Sequence, residues 1–231
     1  MERYSKISEK NKREIVLLRS FPCSYGKCAF CNYILDNSVD ENEINRTNLK
    51  ALHEVTGEFS VLEIINSASV FELPKETLEA IRKIADEKKI TVLYFEVFYS
   101  FINRLDEIKK LFPNQEIRFK VGIETFDNDY RINVFKKKIT INDYSTLKNF
   151  YSCCLLICTV GQTKKQILND IETALKFFKE ITINIFIEND TEIKRDVELL
   201  KWFLNDIYPE LKDLPNVEIL IDNKDFGVYV Q

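Results

Sequence analysis

The chain has 231 residues, 45% of them hydrophobic and 30% charged, with a formal net charge of −4. Such a mixture excludes a disordered chain and leaves enough apolar surface for a full core in one domain, residues 1–231. The acidic balance and the lack of any long Lys/Arg block exclude a protein that coats nucleic acid through phosphate contacts, and no apolar stretch approaches the roughly 18 residues of a membrane span.

Residues 1–13 are polar and charged and lack the apolar centre of a signal peptide. The expected location is therefore the cytoplasm, where thiols stay reduced, and six cysteines there predict metal binding, catalysis or core packing rather than disulfides. In chain order, residues 14–18 (EIVLL) predict a first strand, followed by a cysteine-bearing loop over 22–37 and a helix over 49–56. A second strand is predicted at 61–66 (VLEIIN), then an amphipathic helix over 75–88 behind Pro74. Residues 91–97 and 117–123 predict the third and fourth strands, with a helix over 105–111 between them and two more near 127–134 and 142–150. The run SCCLLICTV at 152–160 is apolar throughout, as expected of a strand buried on both faces of a parallel sheet. A helix over 165–179, a sixth strand at 182–187, a helix over 196–206 and a closing strand at 217–221 complete the pattern. Six strand–helix units predict an α/β fold, a partial TIM-like (β/α)6 barrel, whose site lies at the C-terminal ends of its strands.

At the end of the first strand stand Cys23, Cys28 and Cys31, three thiols within nine residues. Thiolates are the ligands that iron–sulfur clusters require, and one short loop can supply three of them. Three ligands on a [4Fe–4S] cluster leave one iron open to chemistry. The same spacing also suits a structural zinc ion with His53 or one of Cys153, Cys154 and Cys158 as fourth ligand, so a non-catalytic zinc-binding α/β module is the competing reading. The three later cysteines fall inside the apolar run and read as core. His53, the only histidine, falls on a predicted helix, so a hydrolytic triad has no support.

Cys28-Ala-Phe30-Cys31 after the first strand of six strand–helix units resembles the radical SAM superfamily, with Phe30 in the aromatic position of its motif. The usual first gap is three residues; here it is four, Ser24–Lys27, and Gly26 is expected to absorb the extra residue through a backbone conformation closed to other side chains. The resemblance implies a [4Fe–4S] cluster on Cys23, Cys28 and Cys31 that binds S-adenosylmethionine (SAM) and cleaves it reductively to a 5′-deoxyadenosyl radical. It also implies that Asn66, Ser67 and Ala68 form the turn that meets the amino group of SAM. Glu124, in Gly122-Ile-Glu-Thr125, matches the carboxylate that binds the ribose, and two hydroxyl donors suit one carboxylate. Arg131 and Lys136, the latter opening the run Lys136–Lys138, match the cations that follow that carboxylate, and Gly161 the turn beside the adenine.

The four-residue gap and these strand-end turns are similar to those of the queuosine lyases. That likeness implies cleavage of the N-glycosidic bond of queuosine or its 5′-phosphate, releasing queuine: the adenosyl radical takes a ribose hydrogen and the sugar radical expels the base. Glu96, Asp190 and Asp222, with Asp225, are the carboxylates at strand ends expected to meet a substrate rich in N–H donors. A flavodoxin- or ferredoxin-type electron donor is expected, and no stable nucleic-acid complex. The alternative within the superfamily is another radical reaction on a modified nucleoside or tRNA base.

Overall fold

The computed structural model describes residues 2–221, which group into two compact units, 2–26 with 33–120 and 27–32 with 121–221. The first unit opens with β1 (Tyr4–Ile7), antiparallel to β2 (Arg13–Leu18), where the sequence predicts no strand. The tetrapeptide YSKI is half-exposed and too short to show a period; Tyr4 is fixed instead by its hydroxyl, which donates to Glu14 Oε1 at 2.6 Å. Glu14 also accepts from the backbone amides of Thr56 at 2.7 Å and Gly57 at 2.6 Å, so this buried carboxylate is satisfied from two loops.

Helix α1 (Glu41–His53) begins well before the predicted 49, capped by Asp40, whose side chain accepts from the amides of Asn42 and Glu43. The early turns bury the polar Asn45 and Asn48 beside a single apolar side chain, Ile44. Asn48 donates to Arg19 O at 2.8 Å and Asn45 to Glu76 at 2.7 Å, partners far away in sequence. Strand β3 (Val61–Asn66) runs parallel to β2, with Asn66 opposite Leu18, and is followed by α2 (Lys75–Glu87), β4 (Val92–Val97, parallel to β3) and α3 (Leu105–Leu111). Ile15 and Leu17 of β2 pack with Ile7, Tyr33 and Ile65.

Strand β5 (Glu116–Glu124) passes from the first unit into the second. There α4 (Asn128–Asn133) falls within the helix predicted near 127–134, while a 3-10 turn at Tyr144–Asn149 replaces the one predicted near 142–150. Strand β6 (Ser152–Ile157) is shorter than its apolar run, because Cys158 takes a left-handed backbone (φ 64°) and the chain turns away. Helix α5 (Lys164–Phe177) starts at the predicted cap: Thr163 accepts from the Gln166 amide, and Gln166 Oε1 accepts from the Thr163 amide at 2.8 Å. Strands β7 (Glu180–Ile185) and β8 (Val217–Leu220) continue the parallel sheet from β6. Between them, α6 (Val197–Trp202) widens into a π-helical turn over Phe203–Ile207 before α7 (Tyr208–Leu211). Pro209 stands just past that widening and cannot donate to the preceding helix turn.

Candidate active site

The cysteine loop has no regular secondary structure from residue 19 to residue 32, and Cys23, Cys28 and Cys31 are all partly exposed and none is in a disulfide. Gly26 has φ +57°, the left-handed conformation expected of the residue that absorbs the longer gap. Its amide donates to Cys23 Sγ at 3.3 Å. Tyr25, also in the gap, stacks on Phe98 at 5.5 Å between ring centroids.

On the first unit, Asn37 ties this loop to the end of β3. Its Oδ1 accepts from the Cys23 amide at 3.3 Å, while Nδ2 donates to Ser67 Oγ at 2.8 Å and to Ser67 O at 3.0 Å. Ser67 Oγ also accepts from the Ser20 amide at 3.1 Å. Asn66 is buried and donates through Nδ2 to Ser69 O at 3.0 Å, yet its Oδ1 has no hydrogen-bond partner among the described residues. A buried acceptor left open is costly unless a ligand donor completes it, and the ammonium of an amino-acid moiety is such a donor. Glu72, past the turn, accepts from the Ser69 amide at 2.9 Å and the Ser24 amide at 3.4 Å. Ala68 is half-buried in the same turn, and Glu96 is half-buried one residue before the end of β4.

On the second unit, Ala29 donates its amide to Phe135 O at 2.9 Å and the Phe30 ring meets Phe135 edge-on at 5.2 Å. Asn189 holds the Phe30 carbonyl at 3.1 Å. Two residues beyond Phe135, Lys137 is buried and donates to Glu124 Oε1 at 2.7 Å. Burial opposes the Lys137 ammonium, but the Glu124 carboxylate, and with it Cys28 and Cys31, raise its pKa above the ordinary lysine value. Gly122 makes room for this pair: a Cβ there would lie 2.5 Å from Glu124 Oε1 and 2.8 Å from Lys137 Nζ. Glu124 itself has φ 65°, a backbone state that costs free energy and needs outside support. That support begins at Phe126, whose amide donates to the buried Asp170 at 2.7 Å.

The remaining expected residues are placed as follows. Arg131 is fully buried and its guanidinium donates to the carbonyls of Thr125 and Ile139 and to Asn128 Oδ1, fastening the segment around α4. Lys136 is exposed, and the cation that meets Glu124 is Lys137, which the sequence does not single out within its run of three lysines. Gly161 is in the turn after β6, where the Tyr130 hydroxyl donates to Val160 O at 2.8 Å. Asp190 is exposed in the loop after β7; Asp222 and Asp225 lie outside the described residues. His53 is exposed at the end of α1, and Cys153 and Cys158 are buried. Asn37, Glu72, Lys137 and Asp170 carry no motif, and each acts through a partner more than ten residues away in sequence. Among the described residues no three His, Cys, Asp or Glu side chains form a group that could hold a single metal ion. A four-iron cluster spreads its thiolates over separate irons, and the donor set here, three thiols outside any disulfide with an amide aimed at one sulfur, fits that group.

The chain is 48% identical to queuine lyase from Clostridium spiroforme, solved with SAM and queuine bound, over 98% of both chains, with a TM-score of 0.94. That match carries the partial barrel fold over to the whole chain. SuiB from Streptococcus suis, solved with SAM, is 13% identical at a TM-score of 0.50, over 89% of this chain and 46% of its own, a likeness of fold alone. No family model and no curated protein matches the chain.

Proposed function

The chain belongs to the queuine lyase family of radical SAM enzymes, and we propose that it releases queuine from queuosine or queuosine 5′-phosphate by breaking the N-glycosidic bond. The single observation that carries this reading is the 48% identity held over 98% of both chains with a relative solved with SAM and queuine. Cys23, Cys28 and Cys31 would hold a [4Fe–4S] cluster, which with SAM and one electron would supply the radical chemistry.

The protein residues bind, orient and shield. Asn66 Oδ1, the open acceptor beside the Ser67–Ala68 turn, takes an N–H of the SAM ammonium. Glu124 gives Oε1 to Lys137, which assigns Oε2 to the ribose hydroxyls. The Gly161 turn lies beside the adenine, and Phe30 covers the cluster loop on the Phe135 side. Arg131, expected to pair with a carboxylate or phosphate, acts by holding the carbonyl of Thr125 next to Glu124. Lys136, exposed, is the cation for a substrate phosphate. Glu96 and Asp190, with Asp222, accept from the N–H groups of the deazaguanine face and from the amine of its side arm. The partners we assign are a small nucleoside or nucleotide and a flavodoxin- or ferredoxin-type donor in the cytoplasm, with no stable nucleic-acid complex; no helix among the described residues is long and apolar enough to cross a membrane.

The test is anoxic protein, loaded with iron and sulfide, given SAM, a low-potential reductant and in turn queuosine, its 5′-phosphate and queuosine-bearing tRNA. Queuine and 5′-deoxyadenosine should form with a small substrate and not with tRNA. A loaded enzyme that makes 5′-deoxyadenosine but no queuine from any of the three overturns the reading.

A further inference from the structure

Lys137 is the middle of three consecutive lysines and the only one of them that is buried. Its backbone amide is fixed to Arg131 O at 3.0 Å, and its ammonium lies on Glu124 at 2.7 Å. The strand of chain that carries it is stapled to the Cys28–Cys31 segment by the Ala29–Phe135 hydrogen bond and the Phe30–Phe135 ring contact. Both cysteines are near enough for a negative charge on them to act on the Lys137 ammonium. The pair therefore presents two opposite charges, away from water, beside two of the three thiols assigned to the cluster.

We propose that Lys137 and Glu124 form a charge pair that sets the reduction potential of the cluster, with Lys137 raising it and Glu124 lowering it. This rests on the assignment of the cluster to Cys23, Cys28 and Cys31. One-electron reduction, with the electron supplied by an external low-potential donor, adds one negative charge to the cluster. A nearby buried cation stabilises that added charge and a nearby anion opposes it, and screening by water is weak at a buried site. Lys137 is thus a positioning residue for Glu124 and an electrostatic partner of the cluster at once. Burial matters: Lys136 and Lys138 on either side are exposed, where water screens a charge.

The experiment measures the midpoint potential of the reconstituted cluster, without SAM, by an anoxic titration followed by electron paramagnetic resonance. K137M should move the midpoint to more negative values and E124Q to more positive values, while K137R stays close to the wild type. A purely structural role would shift K137M and E124Q in the same direction, since each breaks the same ion pair. Iron and sulfide content is measured in every variant; if K137M does not load, the comparison of E124Q with wild type decides the sign. Unmoved midpoints, or shifts of the same sign, overturn the proposal. A wild-type chain that holds no reducible cluster overturns the cluster assignment instead, so the two failures are told apart.

Discussion

Arg13 Nε donates to Glu63 Oε2 at 2.5 Å across the first two parallel strands, and both side chains are buried. Lys120 donates to the other oxygen, so one carboxylate accepts from two cations away from water. Burial alone would raise the Glu63 pKa, but Lys120 and Arg13 outweigh it and bring it to about 2. A folded pKa below the unfolded value of about 4.3 means that the stabilisation is present above about pH 4.3 and is lost as pH falls toward 2. Urea unfolding midpoints should therefore drop between about pH 5 and 2.5. E63Q should be less stable at pH 7 by about 3 kcal/mol, because two buried cations lose their counter-charge. Its midpoint should also fall less steeply with acid; a parallel fall in both proteins counts against the assignment.

Asp170 acts in the opposite sense. Burial raises its pKa to about 6, while the Phe126 amide limits the rise. Because the folded pKa lies above the unfolded value, its contribution is fully present below about pH 3.9 and declines as pH rises through about 6. D170N keeps the acceptor for Phe126 and removes the buried charge. It should be more stable than wild type at pH 8, on the order of 1–3 kcal/mol, and equal to it near pH 4. Denaturant titrations at the two pH values check this, and a variant less stable at pH 8 contradicts it.

Gly122 defines the space over which the Lys137–Glu124 pair lies. In G122A the new methyl group meets the ends of two long side chains rather than backbone, so the fold is expected to survive and the pair to be displaced. SAM affinity of the cluster-loaded protein should weaken by about tenfold, or about 1.4 kcal/mol, with little change in melting temperature. Calorimetric titration with SAM provides the readout; unchanged affinity would mean that the Glu124 position has no part in nucleotide binding.

The six cysteines should divide into two groups of three. Alanine at Cys23, Cys28 or Cys31 is expected to remove most of the iron bound after anoxic reconstitution, and alanine at Cys153, Cys154 or Cys158 to leave iron content intact. C158A should instead lose stability, on the order of 1 kcal/mol, since Cys158 is fully buried. Iron analysis and thermal melts separate the two groups, and an iron-replete C28A would remove that residue from the ligand set.

The cysteine loop and the strand ends were legible because their signals are local: a spacing of thiols, a Gly-x-Glu turn, a Thr163–Gln166 cap. The start of α1 was not, because its buried face carries Asn45 and Asn48, whose partners Glu76 and Arg19 come from other elements. The end of β6 was misplaced since hydropathy reports side chains, and the turn at Cys158 is a backbone event. Lys137 was invisible for a different reason. Three identical neighbours have identical propensities, and only the fold decides which of them is buried.

The anchor of Glu124 also orders events in time. Its left-handed backbone is braced by Asp170, 44 residues beyond Phe126 in the chain. A nascent polypeptide emerging from the ribosome has made Glu124 well before it has made its brace. The strained conformer is therefore adopted only once α5 has been synthesised and docked, so this corner matures late in translation.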